Sequence, residues 1–346
     1  MSAMAVSGLG VGAAGGPAKR SRPGCIANLG PALWGTARGR ETARMSGPAT
    51  SPPSKGAVVF LHAHPDDEAI FTGGTLRLLA DAGWRTVVVF ATGGELGAPP
   101  RPAEGEATAG PDEVADVRHD ESQVAAVELG VAKVRFLDFA DSGLPTGHGY
   151  VPAPGSLAAA PLDEVTDRVA ELLVEEQAET VVTYDAHGIY GHPDHIVVHR
   201  AGVLAATRCG LLTRYEATVD REYLHFVETH LVEEAHAAGA TPASLLGTGG
   251  SVNDLRPTEP GEGDHDQGAA RLGLAASGFG TPTVLVDLAL DVAAALPTKR
   301  AALAAHASQI PPTSSALLLD SHAFAEVYGL EWYLRFGPPG ALDTLA

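Results

Sequence analysis

Apolar positions in this chain fall into two recurring patterns: short unbroken runs, and longer stretches where they return every three or four residues. The run at 57–61 is apolar and partly β-branched, which predicts a buried parallel strand, and 86–91, 134–139 and 180–184 read as further strands. Helical spacing predicts helices over 72–82, ended by Gly83, and over 113–129, ended by Gly130. Further helices are expected over 162–177 and over 193–206, the latter with Pro193 in its first turn. Later, 213–219 and 282–288 read as strands and 298–307 as a helix. Strands alternate with helices, so the expected fold is α/β and Rossmann-like: a mainly parallel sheet, helices on both faces, and the chemistry at the C-terminal edge of the strands.

Two stretches break the pattern. Residues 97–109 are a loop rich in Pro, Ala and Glu, and 239–280 is a Gly-rich insertion carrying Glu259, Glu262, Asp264 and Asp266. Loops that long in a compact domain are functional or mobile. Residues 1–55 differ again, with Lys19, Arg20, Arg22, Arg38, Arg40 and Arg44 opposed only by Glu41. They lack the apolar core of a secretory signal, and are expected to be a disordered tail or an extension ahead of a start at Met45 rather than a targeting segment. One domain is therefore expected, over residues 56–346.

Composition narrows the class. Of 346 residues 45% are hydrophobic, enough for a core, and the formal charge is −19. That charge argues against a nucleic-acid groove or an anionic membrane surface, leaving a small molecule as the expected partner. Cys25 and Cys209 are too few for a disulfide framework, so a reducing cytoplasm is the simplest compartment. No apolar run approaches the roughly 20 residues of a membrane span. Oligomeric state is not readable.

The densest chemistry is Ala63-His64-Pro65-Asp66-Asp67-Glu68, just past the first strand, with His192-Pro193-Asp194-His195 far downstream. A hydrolytic zinc site needs about three protein ligands and one open position. His64 and Asp67 can reach one ion from a single turn, and His195 can supply a third ligand from the start of another helix, because strand ends converge on one sheet edge. Asp66 is then available to take a proton from water activated by the metal. His192, when protonated, can stabilise an oxyanion or protonate a leaving amine, and Asp194 can orient one of the two imidazoles of its motif. Each motif alone has a plain reading, a solvated turn pair or a capped helix start; their combination favours the metal.

These two motifs, with Gly73-Gly74, residues 118–130, Asp141-Ser142-Gly143 and the 299–309 segment, resemble the LmbE/PIG-L family of zinc-dependent N-deacetylases over most of residues 57–335. The resemblance implies His64, Asp67 and His195 as zinc ligands and Asp66 as general base. It implies His192 as helper of the tetrahedral intermediate and leaving group, with Tyr190 close by. It also makes Arg118 and Asp141 candidates for gripping substrate hydroxyls, against an ordinary salt bridge on a helix face. Glu95, after Thr92-Gly93-Gly94, is a candidate for the pocket wall, and His306 is expected to be a packed or capping histidine.

The function expected is hydrolysis of an N-acyl group, most simply acetyl, from an N-acetylglucosamine-type conjugate by a zinc-bound hydroxide. An amidase for a thiol-sugar conjugate would use the same site. A non-haem iron oxygenase or a non-catalytic metal-binding protein are the rivals, and Fe²⁺ is not separable from Zn²⁺ by ligand type. Thr72-Gly73-Gly74-Thr75 lacks the ending of a phosphate loop, and Ser251 and Ser277 lack a nucleophile elbow. His62 is expected to face away from His64 and to be structural.

Overall fold

The structure is a computed structural model that describes residues 55–99, 108–145, 150–224, 226 and 279–346. The basic N-terminal region, Cys25, Ser251, Ser277, the acidic cluster at 259–266 and nearly all of the 239–280 insertion lie outside the described residues.

The first strand, β1 (Ala57–His62), is buried throughout. It leads through α1 (Asp67–Phe71) and α2 (Gly73–Asp81) to β2 (Arg85–Thr92), then through α3 (Pro111–Leu129) to β3 (Lys133–Phe139). The chain returns by α4 (Leu162–Glu175) to β4 (Ala178–Tyr184). It continues through a short kinked element, α5 (Gly188–Gly191), and α6 (Pro193–Arg208) to β5 (Thr213–Thr218). After the insertion come β6 (Leu288–Asp291), α7 (Leu296–Ala305), α8 (Ser315–Leu318), α9 (Ser321–Tyr328) and β7 (Leu330–Phe336).

These strands form one sheet in the order β3-β2-β1-β4-β5-β7-β6. Strands β1 to β5 pair in parallel, while β7 runs antiparallel to both β5 and β6. Because parallel crossovers are right-handed, a strand order that reverses beside β1 puts helices on both faces and opens a crevice beyond the ends of β1 and β4. Both functional motifs leave the sheet at that crevice.

Helix α4 shows why the periodicity was readable: Val165, Val169, Leu172 and Leu173 are buried along one stripe. In two places the pattern misled. The run at 282–288 is not a strand; Thr283–Leu285 forms a 3-10 turn with Val284 87% exposed, and the strand starts only at Leu288. Local bonds explain this, since Leu285 N–H donates to Pro282 O and Glu222 holds the Thr283 N–H. Second, the helix expected from residue 72 is preceded by α1, with the break at Thr72.

Helix α2 is tied to the far side of the domain. Glu331, on β7, accepts the N–H groups of Gly74 and Thr75 at 2.7 and 2.8 Å, satisfying two donors that a helix start leaves open. Its Oε1 also meets Lys299 Nζ from α7 at 2.6 Å, with both side chains buried. Gly74 lets α2 lie against Val292, the residue after β6, because a Cβ there would fall 2.4 Å from Val292 Cβ. Among the described residues no helix is long and apolar enough to cross a membrane.

Replacing Glu331 with Ala strands the Lys299 charge and two helix N–H groups, and is expected to cost about 3–5 kcal/mol in urea denaturation. A change within the ordinary surface range of roughly ±0.5 kcal/mol would show that the bridge does not hold α2.

Candidate active site

Beyond His62 the chain leaves the sheet and folds back, so that Asp66 caps α1 with its backbone at φ 127, ψ −30. Such a conformation costs a non-glycine residue on the order of 1–3 kcal/mol and persists only where its surroundings enforce it. Here Glu68 Oε2 accepts the Asp66 N–H at 3.0 Å, while Ala69 and Ile70 both donate to the Asp66 carbonyl at 3.0 Å. Arg118 reaches across from α3, donating to Pro65 O at 2.5 Å and to Gly94 O at 2.7 Å, with Nη2 3.2 Å from Asp66 Oδ2.

Asp67 is the hub. Its Oδ2 accepts the His64 N–H at 2.9 Å and the Tyr184 hydroxyl at 2.8 Å, and lies 3.5 Å from His64 Nδ1 and 3.3 Å from His195 Nε2. Tyr184 ends β4 and stacks flat on His195, ring centres 4.1 Å apart. Gly188 permits the fit, since a Cβ there would sit 2.7 Å from His195 Cβ. Nitrogens of His64, His192 and His195 lie within 4.8 Å of one another, and His64, Asp141, His192 and Asp194 form a second group by the same measure.

The sequence motifs thus come together, with changes of role. Asp194 does not orient an imidazole of its own motif through its carboxylate: Oδ2 lies 3.3 Å from His64 Nε2, and the group is fixed by the Ser142 N–H and hydroxyl. Asp141 Oδ1 is 3.5 Å from the same nitrogen, and Glu95 supports it by accepting the Asp141 N–H at 2.7 Å. His64 therefore presents Nδ1 to Asp67 and Nε2 to two carboxylates, the arrangement that fixes the tautomer of a metal-binding histidine.

His192 Nδ1 accepts the Asp194 N–H at 3.1 Å, so its ring proton sits on Nε2. Burial, with His64 and His195 alongside, pushes its pKa down to about 2, so the charged imidazole expected from the sequence is replaced by a neutral N–H donor. Burial also pushes Asp66 up to about 7 against the pull of Arg118. Tyr190, its hydroxyl 3.4 Å from His195 Nε2, is held well above the usual phenol range by burial and the surrounding carboxylates, and so stays a donor.

Arg118 is no exposed helix-face pair; it is buried, and its Nη atoms face the Asp66 turn and Gly94. His306 is packed as expected, its Nε2 2.6 Å from Glu68 Oε1. His62 is structural but does not face away. Residues two apart share a strand face, and His62 meets Tyr184 Oη and Thr72 Oγ1 directly beneath the site. Tyr184 and Ser142 carried no role in the sequence reading; the legible signal for Tyr184 was its place at the end of a strand beside β1. An apolar cavity lined by Ile70, Phe71, Tyr223, Lys299 and Trp332 contains none of the candidate residues.

The family model described as PIG-L, GlcNAc-PI de-N-acetylase, matches residues 59–206, which contain every candidate residue named from the two motifs. A Thermomonospora curvata protein is 32% identical over 291 residues, 82% of this chain and 91% of that protein. The chain belongs to the PIG-L family. That relative is named 1D-myo-inositol 2-acetamido-2-deoxy-alpha-D-glucopyranoside deacetylase. A Kineococcus radiotolerans protein of the same name is 43% identical over 162 residues, 43% of this chain and 44% of that protein. Among solved structures, the N,N'-diacetylchitobiose deacetylase from Pyrococcus horikoshii has 21% identity and a TM-score of 0.45, covering 81% of this chain and 83% of that one.

Within this site, Tyr184→Phe leaves the Ala63 N–H without its 2.8 Å acceptor and removes one of the donors to Asp67, whose other is the His64 N–H. It is expected to lower stability by about 1–3 kcal/mol in thermal or urea unfolding, and an unchanged midpoint would remove Tyr184 from the network.

Proposed function

We propose that this chain is a metal-dependent N-deacetylase acting on an N-acetylglucosamine-type conjugate. The observation that carries the reading is the spacing around Asp67. Ligand atoms about 2.0–2.2 Å from a tetrahedral zinc lie roughly 3.3–3.6 Å apart. His64 Nδ1 and His195 Nε2 stand 3.5 and 3.3 Å from Asp67 Oδ2, so the two edges that meet at Asp67 match such an ion, and nitrogens of His64 and His195 belong to one buried histidine cluster within 4.8 Å. His192 is excluded from the set by its own hydrogen bond: with Nδ1 accepting the Asp194 N–H, Nε2 carries the proton and has no lone pair for a metal.

Bound by His64, Asp67 and His195, a divalent cation, Zn²⁺ or Fe²⁺, would supply Lewis acidity to water and to the acyl carbonyl. The residues of the chain do the rest. Asp66 accepts the proton of the attacking water, and Arg118 keeps that carboxylate in place. The His192 Nε2–H and the Tyr190 hydroxyl donate to the acyl oxygen as negative charge develops there. The amide C–N bond breaks to give acetate and a free amine, which recovers the proton held by Asp66. Asp141 and Asp194 fix the tautomer of His64, with Glu95 supporting Asp141 from behind. The names of the relatives support a glucosaminide of inositol as the first substrate to assay.

The deciding measurement is amine release from a panel of N-acyl glucosamine conjugates, the inositol glucosaminide included, by metal-reconstituted protein. No release from any member would remove the hydrolase reading. Asp66→Asn is expected to lower kcat by about 10²–10⁴-fold while keeping its metal content, and a fully active variant would rule out Asp66 as the base. Chelation is expected to abolish turnover and re-addition of Zn²⁺ or Fe²⁺ to restore it. Activity unaffected by exhaustive chelation would exclude a role for the ion.

A further inference from the structure

Glu68 ends the first motif and His306 lies in the 299–309 segment; the chemistry above uses neither, yet they are in contact. Glu68 Oε1 lies 2.6 Å from His306 Nε2, and both side chains are buried to 2% exposure or less. The other oxygen, Oε2, accepts the Asp66 N–H at 3.0 Å. One carboxylate therefore joins the strained peptide at Asp66 to the residue that follows α7.

The backbone around this pair is held on several sides. The His306 carbonyl accepts the N–H groups of Gln309 and Ile310 at 3.0 and 2.7 Å, and Gln309 in turn clamps both backbone groups of Ala98. Upstream in α7, Lys299 is anchored on Glu331. Among the described residues, Arg118 holds the Pro65 carbonyl and the Asp66 carboxylate, whereas Glu68 alone holds the Asp66 N–H. Rotation of that peptide toward an ordinary backbone conformation would swing the carboxylate, and Glu68 blocks it. A plain core ion pair would need no contact to Asp66.

The geometry points to Glu68 and His306 as a positioning pair for Asp66, which fixes the direction of its carboxylate through the strained backbone. The inference rests on Asp66 being the base. His306 fixes Glu68, Glu68 fixes the Asp66 N–H, and neither touches substrate.

The test uses metal-loaded full-length protein carrying Glu68→Ala, Glu68→Gln or His306→Phe, each also combined with Asp66→Asn. Misplacing a reacting group by about 1 Å costs on the order of 10²-fold, and Glu68→Ala and His306→Phe are expected to lose about that much in kcat. KM is expected to stay within roughly threefold and metal content to be complete. Glu68→Gln retains an acceptor for the Asp66 N–H and is expected to recover most of the loss. Added to Asp66→Asn, the substitutions are expected to cost nothing further, because they act through the same group.

Undiminished kcat in Glu68→Ala, a loss traced to missing metal, or full additivity with Asp66→Asn would each overturn the pair. If Glu68→Ala does not fold, His306→Phe and Glu68→Gln carry the same comparison. Crystals of the metal-loaded Glu68→Ala or His306→Phe protein are expected to show Asp66 away from φ 127; retention of that angle would overturn the inference even if no N-acyl substrate is found. Failure of the wild-type protein to release amine would instead count against the deacetylase reading.

Discussion

One oxygen of Asp67 holds the two ends of the site together. It takes the His64 N–H and the Tyr184 hydroxyl as donors and has a ring nitrogen of His64 and another of His195 within 3.5 Å. These partners come from the turn after β1, the end of β4 and the start of α6, so the oxygen lies over the point where the strand order reverses. A buried carboxylate in that position is tolerable only because donors and imidazoles surround it. His64 and His195 outweigh the cost of its burial and hold Asp67 well below the usual carboxylate range.

Two neighbouring aspartates thus live in opposite environments. Asp67 is surrounded by imidazoles, while Asp66 is buried beside Asp67 itself and has Arg118 as its direct cationic contact. Divergence between adjacent titratable groups is how a site assigns one carboxylate to holding and another to exchanging protons. The backbone makes the divergence possible. The turn at Asp66 sends consecutive side chains to different surroundings, and the strain of that turn is balanced by Glu68, Arg118 and the first turn of α1.

Much of this was legible in the residues. Strands β1, β2 and β4 and helix α4 follow from apolar runs and spacing, because each buries a continuous face and the pattern records it, whereas α3 buries Arg118 and leaves Val124 and Val127 exposed, and the edge strand β3 buries only Leu137. The end of the chain was harder. Strand β7 went unread and β6 was placed too early, since an edge strand and its neighbour take their identity from pairing partners rather than from an apolar run. Glu331 illustrates the limit: a buried charge near the start of a strand looks misplaced until the start of α2 is seen above it.

The sequence by itself determined which residue types were available for chemistry, and that two motifs roughly 130 residues apart belong at one sheet edge. Hydrophobic periodicity and local turn chemistry act over a few residues, and a pattern carries them. Only the tertiary structure decided orientation. Asp194 braces His64 rather than its own motif's imidazoles, His192 takes the Asp194 N–H on Nδ1, and Tyr184, with no motif around it, completes Asp67. Those outcomes depend on which atom of a ring or carboxylate meets which partner, and on the dielectric that burial creates. Neither quantity exists until distant strands have been brought side by side.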